Sequence, residues 1–273
     1  MLTPNGISLT CFIFLLLVGW TRRLPKGRRL QASMFGFTGL SLLLLQHWGS
    51  RYLPQTFMSI AADWLPAILM VLVYWQAGRL VREPNTRLQS FLHHADLALF
   101  ERFSFLIPGA RPQVFISNLQ ELAYLFCYPL VPLGVVVLYL THMRNGIEPY
   151  WTAVLLAACF CYVTTIFFET LSPRVIPAGY DFHLSSGPIR SLNLLIVRYV
   201  SIQINTFPSA HVASSGAAAL VLMRFAPVPG FLVLLIVGGI TAGAVTGRYH
   251  YILDVLLGAV IAIAAFLLTA LAA

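Results

Sequence analysis

Two histidines in the C-terminal third of the chain stand beside polar residues that could support phosphate chemistry. His250 is followed four residues later by Asp254, which is the only acidic residue after Asp181. On a helix, residues four apart share one face, so the carboxylate could bond to one ring nitrogen of the imidazole. Such a bond fixes the tautomer and leaves the other nitrogen free to attack. This spacing predicts an oriented nucleophile.

The other histidine, His211, follows Pro208 and Ser209, and this pattern predicts the start of a helix. Free N–H groups at a helix N-terminus attract anions. Ser209 could cap the helix or donate its hydroxyl to a phosphate oxygen, and His211 would lie in the first turn. Two other interpretations stay open: the histidines could only line the membrane interface, or His211, His250 and Asp254 could hold a metal.

The segments that carry these residues are long and apolar. Residues 212–225 and 231–246 are two such runs, separated by Ala-Pro-Val-Pro-Gly at 226–230. Each run is nearly long enough to cross a membrane as a helix. A crossing out, a tight turn and a crossing back would place His211 and His250 on the same side of the membrane.

Composition places the whole chain in a membrane. Of its 273 residues, 59% are hydrophobic and only 10% are charged, whereas about a quarter are charged in a soluble domain. The apolar runs are continuous, so they predict an all-α polytopic membrane helix bundle and not a β-barrel. We predict about eight spans, at residues 7–20, 32–47, 58–77, 115–140, 151–171, 212–225, 231–246 and 252–271.

The fourth predicted span has two unusual features. Pro129 and Pro132 predict a kink in it. Glu121 lies inside it, and an ionisable residue within a span is a candidate for function. A structural bond from Glu121 to another helix is an equal alternative. The four cysteines, Cys11, Cys127, Cys159 and Cys161, all fall in apolar runs and are predicted to be small buried residues.

Two connections are not apolar. Residues 79–111 are amphipathic and too charged to span, so they are predicted to lie in the membrane interface. Within them, His93, His94 and Asp96 could suggest a metal cluster, but we favour a solvated helix face. Residues 172–206 form the longest polar connection, and their prolines and glycines predict an irregular loop up to about residue 188. Loops of such length are uncommon unless they are functional.

The basic residues suggest both partners and orientation. Seventeen basic residues stand against nine acidic ones, a net charge of +8. In a membrane protein this favours an anionic phospholipid surface or phosphate over nucleic acid. Fourteen of the seventeen fall on the side of the predicted bundle that carries the histidines; the others are Arg51, Arg144 and Arg224. The positive-inside rule therefore predicts that the histidine side faces the cytoplasm.

The two histidine segments resemble motifs of the type-2 phosphatidic acid phosphatase superfamily. Its Pro-Ser-x-His motif corresponds to Pro208–His211, and its His-x-x-x-Asp motif to His250–Asp254. The His-Tyr-x-x-Asp form is similar to the inositol phosphorylceramide synthase branch. The resemblance implies a six-helix core. We expect this core at residues 115–273, after N-terminal spans and the interfacial segment in residues 1–114.

The resemblance also implies roles for the site residues. His250 would be the nucleophile that forms a phospho-histidine, Asp254 would orient it, and His211 would protonate the leaving oxygen. No metal or cofactor would take part. Ser209 and arginines would bind the phosphate, and the candidates are Arg174, Arg248, Arg190 and Arg198.

This sequence departs from the family pattern at the phosphate ligands. An arginine commonly stands six residues before the motif histidine, where this chain has Ala244, and Arg248 could substitute if it lies in a loop. The family's earlier Arg-Pro pair is matched only by Pro173-Arg174, in reverse order. The resemblance as a whole still implies a lipid phosphatase. The alternatives are a lipid headgroup phosphotransferase and a non-catalytic relative that binds or moves a lipid.

Overall fold

The computed structural model describes residues 2–102, 114–176, 187–204 and 206–272. Every regular element within these ranges is helical, which confirms the predicted all-α bundle. Two short 3-10 helices, Arg144–Gly146 and Pro173–Val175, interrupt the connections. The eleven α-helices are α1 Pro4–Thr21, α2 Lys26–Gly49, α3 Gln55–Leu80, α4 Thr86–Arg102, α5 Val114–Leu125, α6 Leu130–Leu140, α7 Ile147–Thr165, α8 Pro188–Tyr199, α9 Ala210–Phe225, α10 Pro227–Thr246 and α11 Ile252–Ala272.

Five of these helices are long and apolar enough to cross a membrane: α1, α3, α7, α10 and α11. The pair α5 and α6 makes a sixth span if it is counted as one element. All eight predicted spans coincide with helices, but two fall short of this criterion. Helix α2 carries polar residues along its length, and α9 has only 16 residues.

The predicted kink in the fourth span is present. Helix α5 ends at Leu125, α6 begins at Leu130, and the two axes differ by 74°. Pro129 occupies the position just before α6. Proline there lacks the N–H that a continuous helix would need, so the chain turns at this point.

Two predicted boundaries are wrong. The fifth span was expected to reach residue 171, but α7 ends at Thr165. The segment 226–230 was expected to be a turn, yet α10 begins at Pro227. Proline is well suited to the first helical position, where an N–H has no partner anyway. The hairpin with α9 is tight, since a Cβ on Gly230 would lie 2.4 Å from the backbone nitrogen of Met223.

The core is centred on α7, which is buried over most of its length and packs against α1, α3, α9 and α11. Small residues let α9 and α11 approach each other: a Cβ on Gly216 would lie 2.8 Å from the Cβ of Ala262, and one on Gly258 would lie 2.7 Å from the Ser209 carbonyl. On its other side, α7 meets an apolar cluster that includes Phe12 and Leu15. All four cysteines are buried and unbonded, as predicted.

The two polar connections are partly helical. Helix α4 occupies much of the predicted interfacial stretch 79–111, whose residues 103–111 lie outside the described ranges. The connection 172–206 contains α8, which the sequence analysis did not predict; residues 177–186 are not described. Helix α8 buries only one face, formed by Arg190, Asn193 and Val197. This buried face packs against α5.

Candidate active site

The start of α9 and the turn between α10 and α11 lie side by side. The Ser209 N–H donates to the Asp254 carbonyl across 3.0 Å. The imidazole rings of His211 and His250 are 5.9 Å apart between centroids and nearly perpendicular, at 82°. The prediction that the two histidines lie at the same end of the helices is therefore confirmed.

His250 itself lies in a turn and not on a helix. The N–H groups of Tyr249 and His250 both donate to the Ala244 carbonyl, each across 2.9 Å. Arg248 adopts a left-handed backbone conformation with φ of 59°. Ala244 is fully buried, and a Cβ on the preceding Gly243 would lie 2.4 Å from the Gln120 carbonyl of α5. The close approach of α5 therefore leaves no room for a side chain at position 243.

The hydrogen bonds of His250 define its tautomer. Its Nδ1 lies 2.9 Å from the Thr206 carbonyl oxygen and 3.3 Å from Asp254 Oδ2. A carbonyl oxygen can only accept a hydrogen bond, so Nδ1 must carry the proton. The lone pair of the neutral ring is then on Nε2. Sequence reasoning missed Thr206, because a backbone carbonyl leaves no signal in the residue type.

The surroundings of His250 favour its neutral form. The side chain is buried, and burial lowers its pKa from 6.5 to about 4. The charge of the nearby Arg174 lowers the pKa further, while the hydrogen bond to Thr206 opposes the shift. A histidine with this pKa is uncharged at neutral pH and keeps a lone pair available for attack.

Asp254 is fully buried in the first turn of α11. Its Oδ2 accepts the Tyr251 N–H across 3.0 Å as well as the contact from His250. The carboxylate thus holds both the backbone of the turn and the imidazole ring. The predicted pairing of His250 with Asp254 is present, although the Thr206 carbonyl is the nearer partner of Nδ1.

His211 and Ser209 form the first turn of α9. The His211 ring lies edge-on to Tyr124 and Tyr128, with centroids 5.9 and 5.5 Å away. Ser209 is the N-cap, and its Oγ accepts the Val212 N–H across 3.4 Å. A hydroxyl that accepts in this way still has its own hydrogen to donate. Both uses that the sequence suggested for Ser209 are therefore compatible with the structure.

Two of the predicted arginines border the His250 turn. Arg174 is half-buried, and its Nη2 donates to Gln203 Oε1 across 3.0 Å. Arg248 Nη2 donates to the carbonyls of Pro173 and Ile176. The Arg248 carbonyl in turn accepts the Arg174 N–H across 2.9 Å. Arg248 therefore ties the segment that carries Arg174 to the His250 turn.

The other two predicted arginines lie on α8, on different faces. Arg190 is buried and donates to Glu121 Oε1 across 2.5 Å. Arg198 is exposed, and its guanidinium lies over the neighbouring Tyr199 ring. The charge of Arg174 acts on the His250 ring, whereas Arg190 is paired with a carboxylate.

Helix α4 contributes a carboxylate that contacts the same region. Asp96 Oδ1 accepts the Ile252 N–H at the start of α11 across 2.9 Å, and the side chain is buried. The predicted solvated face is therefore wrong for Asp96, because α4 packs on the N-terminus of α11. His94 is exposed, and no group of potential metal ligands occurs among the described residues.

Burial has a large effect on this carboxyl group. It raises the pKa of Asp96 from 3.8 to about 7, and the charge of Asp254 raises the pKa further. The hydrogen bond from Ile252 and the charge of Arg248 oppose this shift. Asp96 therefore titrates near neutral pH, and it contacts the backbone at Ile252, two residues after His250.

Fold and site together define a multi-pass helical membrane protein with a paired-histidine site at one end of its bundle. A sequence model described as the PAP2 superfamily matches residues 90–268, which is more than half of the chain. The chain belongs to the PAP2 superfamily. Membership supports activity of the phosphatase or phosphotransferase type on phosphate esters. No curated protein and no solved structure matches the chain.

Proposed function

We propose that the protein is an integral membrane lipid phosphatase that acts through a phospho-histidine on His250. The observation that carries this proposal is the hydrogen bond from His250 Nδ1 to the Thr206 carbonyl. It leaves the Nε2 lone pair as the free nucleophile of a neutral ring. His211, from the other motif, lies beside it as a second titratable group.

The proposed reaction has two displacements at phosphorus. His250 Nε2 attacks, the bond from phosphorus to the ester oxygen breaks, and His211 gives its proton to the leaving alkoxide. Water then attacks the phospho-histidine, and His211 takes a proton from the attacking water. The phosphorus–nitrogen bond breaks and inorganic phosphate leaves. The proposal assigns no role to a metal or a cofactor.

Phosphate oxygens would be held from three directions. Ser209 can donate its hydroxyl, the start of α9 offers the positive end of a helix dipole, and Arg174 brings a guanidinium. Arg248 would act mainly by holding the Arg174 segment in place through its bonds to Pro173 and Ile176. These donors act on the charge that develops on the phosphate in the transition state.

A membrane lipid is the proposed substrate because of where the site lies. The amphipathic α4 docks on α11 through Asp96, at the same end of the bundle as His250. A substrate that resides in the membrane would reach this end from the lipid interface. The arginines near this end also suit an anionic lipid surface, and the positive-inside rule supports a cytoplasmic site.

Lipid headgroup transfer is the second candidate. The His250-Tyr251-x-x-Asp254 form, which is similar to the inositol phosphorylceramide synthase branch, favours it. In that case a lipid hydroxyl would replace water in the second displacement. We place hydrolysis first because it needs only one lipid site. A non-catalytic relative that binds or moves a lipid is the third candidate.

The three candidates predict different products. Purified protein would be incubated with phosphatidic acid, a polyprenyl phosphate and phosphatidylinositol, each with and without an acceptor lipid, and both free phosphate and transferred headgroup would be measured. We expect free phosphate from a lipid monoester, and none with His250→Ala or His250→Gln. A headgroup-exchanged product without free phosphate would favour transfer. Lipid binding without turnover, or full activity in His250→Ala, would overturn the enzyme proposal.

A further inference from the structure

Glu121 is a buried acid outside the two histidine motifs, and it has an unusually complete set of partners. Its side chain is almost fully buried on α5. Oε1 pairs with Arg190 of α8. Oε2 accepts from Asn193 Nδ2 across 2.8 Å and from the Tyr249 hydroxyl across 2.7 Å. The structural bond to another helix that the sequence allowed is therefore present, but it is not the only contact.

The contact to Tyr249 leads directly to the nucleophile. Tyr249 precedes His250, and its ring stacks on Tyr124 with centroids 4.0 Å apart and planes within 2°. Tyr124 follows Glu121 by three residues on α5 and also lies edge-on to His211. One turn of α5 therefore holds the hydroxyl and the ring of Tyr249 and flanks the second histidine.

Besides Asp254, other side chains also anchor the turn around His250. Ser172 Oγ lies 2.9 Å from the carbonyl oxygens of both Arg248 and Tyr249, and its one hydrogen can be donated to either. Arg190 Nη1 donates to the Gly247 carbonyl across 3.4 Å. Arg190 is itself held by Glu121. Two of the contacts that constrain residues 247–250 thus depend on the Glu121 carboxylate.

We propose that Glu121 is a positioning residue for the reaction at His250, and that it acts through the hydroxyl of Tyr249. The carboxylate fixes the position of Tyr249, and through it the backbone of the adjacent His250. The imidazole Nε2 is thereby held in line for attack on the phosphorus atom. A small misplacement of reacting atoms can lower a rate strongly. This inference rests on the proposed phosphotransfer at His250, and it gives Glu121 no contact with the substrate.

The sharpest test removes only the hydroxyl, with Tyr249→Phe. This change keeps the ring stack on Tyr124 and leaves Glu121 paired with Arg190, so folding should survive. Replacing Glu121 itself would leave Arg190 buried without its partner, which is strongly destabilising. The matched control is Tyr150→Phe. This change removes a buried tyrosine hydroxyl that donates to the Val131 carbonyl across 2.6 Å. Tyr150 lies in the N-terminal half of α7, and the C-terminal end of α7 is the one near the site.

We expect Tyr249→Phe to lower kcat on the order of tenfold and to leave KM unchanged, because substrate contacts stay in place. Tyr150→Phe should cost similar thermal stability and keep the wild-type kcat. An equal loss of stability in both variants with wild-type kcat in both would overturn the proposal and reduce Glu121 to a structural anchor of α8.

A double-mutant comparison gives a second readout. In an Asn193→Ala background, α8 loses its two bonds from Asn193 to the Glu121 carbonyl and carboxylate. The Tyr249 contact stays, so kcat should hold and Tyr249→Phe should still lower it. If Asn193→Ala alone lowers kcat as much as Tyr249→Phe, the effect passes through α8 and the proposal fails. If the wild type turns over no phosphate ester at all, the proposed function fails instead, so the two failures are distinguishable.

Discussion

The two ends of α7 each carry a cluster of polar and charged residues, and the clusters differ in kind. At the N-terminal end, Arg144 pairs with Asp63 at 2.7 Å, and the Arg144 side chain is 47% exposed. Tyr139 also donates to Asp63. At the C-terminal end, Thr165 contacts the segment that leads to His211, and the Asp254 side chain there is completely buried.

The two clusters differ in how their charges are compensated. An exposed pair has water as an alternative partner and contributes little to stability. A buried carboxylate needs compensation, and Oδ2 of Asp254 receives it from the Tyr251 N–H and the His250 ring. Its Oδ1 is buried and has no hydrogen-bond partner among the described residues. The cost of burying these groups is understandable if the arrangement orients a reacting nitrogen.

The largest effect is expected from Asp254→Asn. The amide oxygen can still accept the Tyr251 N–H, so the turn should survive, but the negative charge beside His250 is lost. Turnover should fall on the order of a thousand-fold, as for other oriented histidines. Steady-state kinetics and a thermal melt of the purified variant would measure this. A fall of less than about tenfold in a folded variant would show that Thr206 alone orients the ring.

His211→Ala should have a smaller effect that depends on the leaving group. With a natural alkoxide leaving group, the loss of the general acid should slow turnover on the order of a hundredfold or more. With a phenolate leaving group, which needs no proton, the first displacement should be nearly restored. The measurement is the rate of phenolate release set against that of lipid alcohol release. Equal losses with both substrates would mean that His211 does not act as the acid.

Asp96→Asn should reveal the raised pKa at the start of α11. The folded protein holds a proton on Asp96 up to a pKa of about 7, whereas the usual value is 3.8. The unfolded chain therefore releases the proton first, and stability falls as pH rises between these two values. The amide keeps the bond to Ile252 without this loss. The difference in melting temperature between the variant and the wild type should therefore rise in the variant's favour from about pH 4 to about pH 7. A gap that does not change with pH would contradict the shift.

Arg144→Gln should have the smallest effect. It breaks the pair with Asp63 at the far end of α7, where the arginine is largely solvated. Turnover should stay within about twofold of the wild type, and the melting temperature should change little. The same assays as for Asp254→Asn make the two ends directly comparable. A large loss of activity here would mean that the two clusters are coupled through α7.

Parts of this difference between the ends could be predicted from the sequence. The spacing of His250 and Asp254, the Pro208-Ser209 helix start and the apolar runs placed both histidines at one end. Each of these signals depends on residue type or period, which a sequence displays directly. The kink at Pro129 was predictable for the same reason, because proline cannot supply the missing hydrogen bond.

Other parts could not be predicted. The Thr206 carbonyl is a backbone group, so no residue type marks it. Asp96 lies among polar neighbours on α4, and only the docking of α4 on α11 shows that it is buried. The partner of Arg190 is Glu121, 69 residues earlier in the chain. Such contacts depend on how helices pack, which a single sequence without homologues does not display.

In the proposed mechanism, His250 Nε2 carries the phosphoryl group during turnover. The most direct measurement is to mix the protein with a radiolabelled phosphate ester of a phenol, to quench the reaction in alkaline detergent, and then to test whether the bound label survives acid and base. We predict protein-bound label that is lost in acid and kept in base, absent in His250→Gln, and increased in His211→Ala because water attack is slowed. Label that persists in His250→Gln, or phenolate released by His211→Ala without any bound label, would contradict the account.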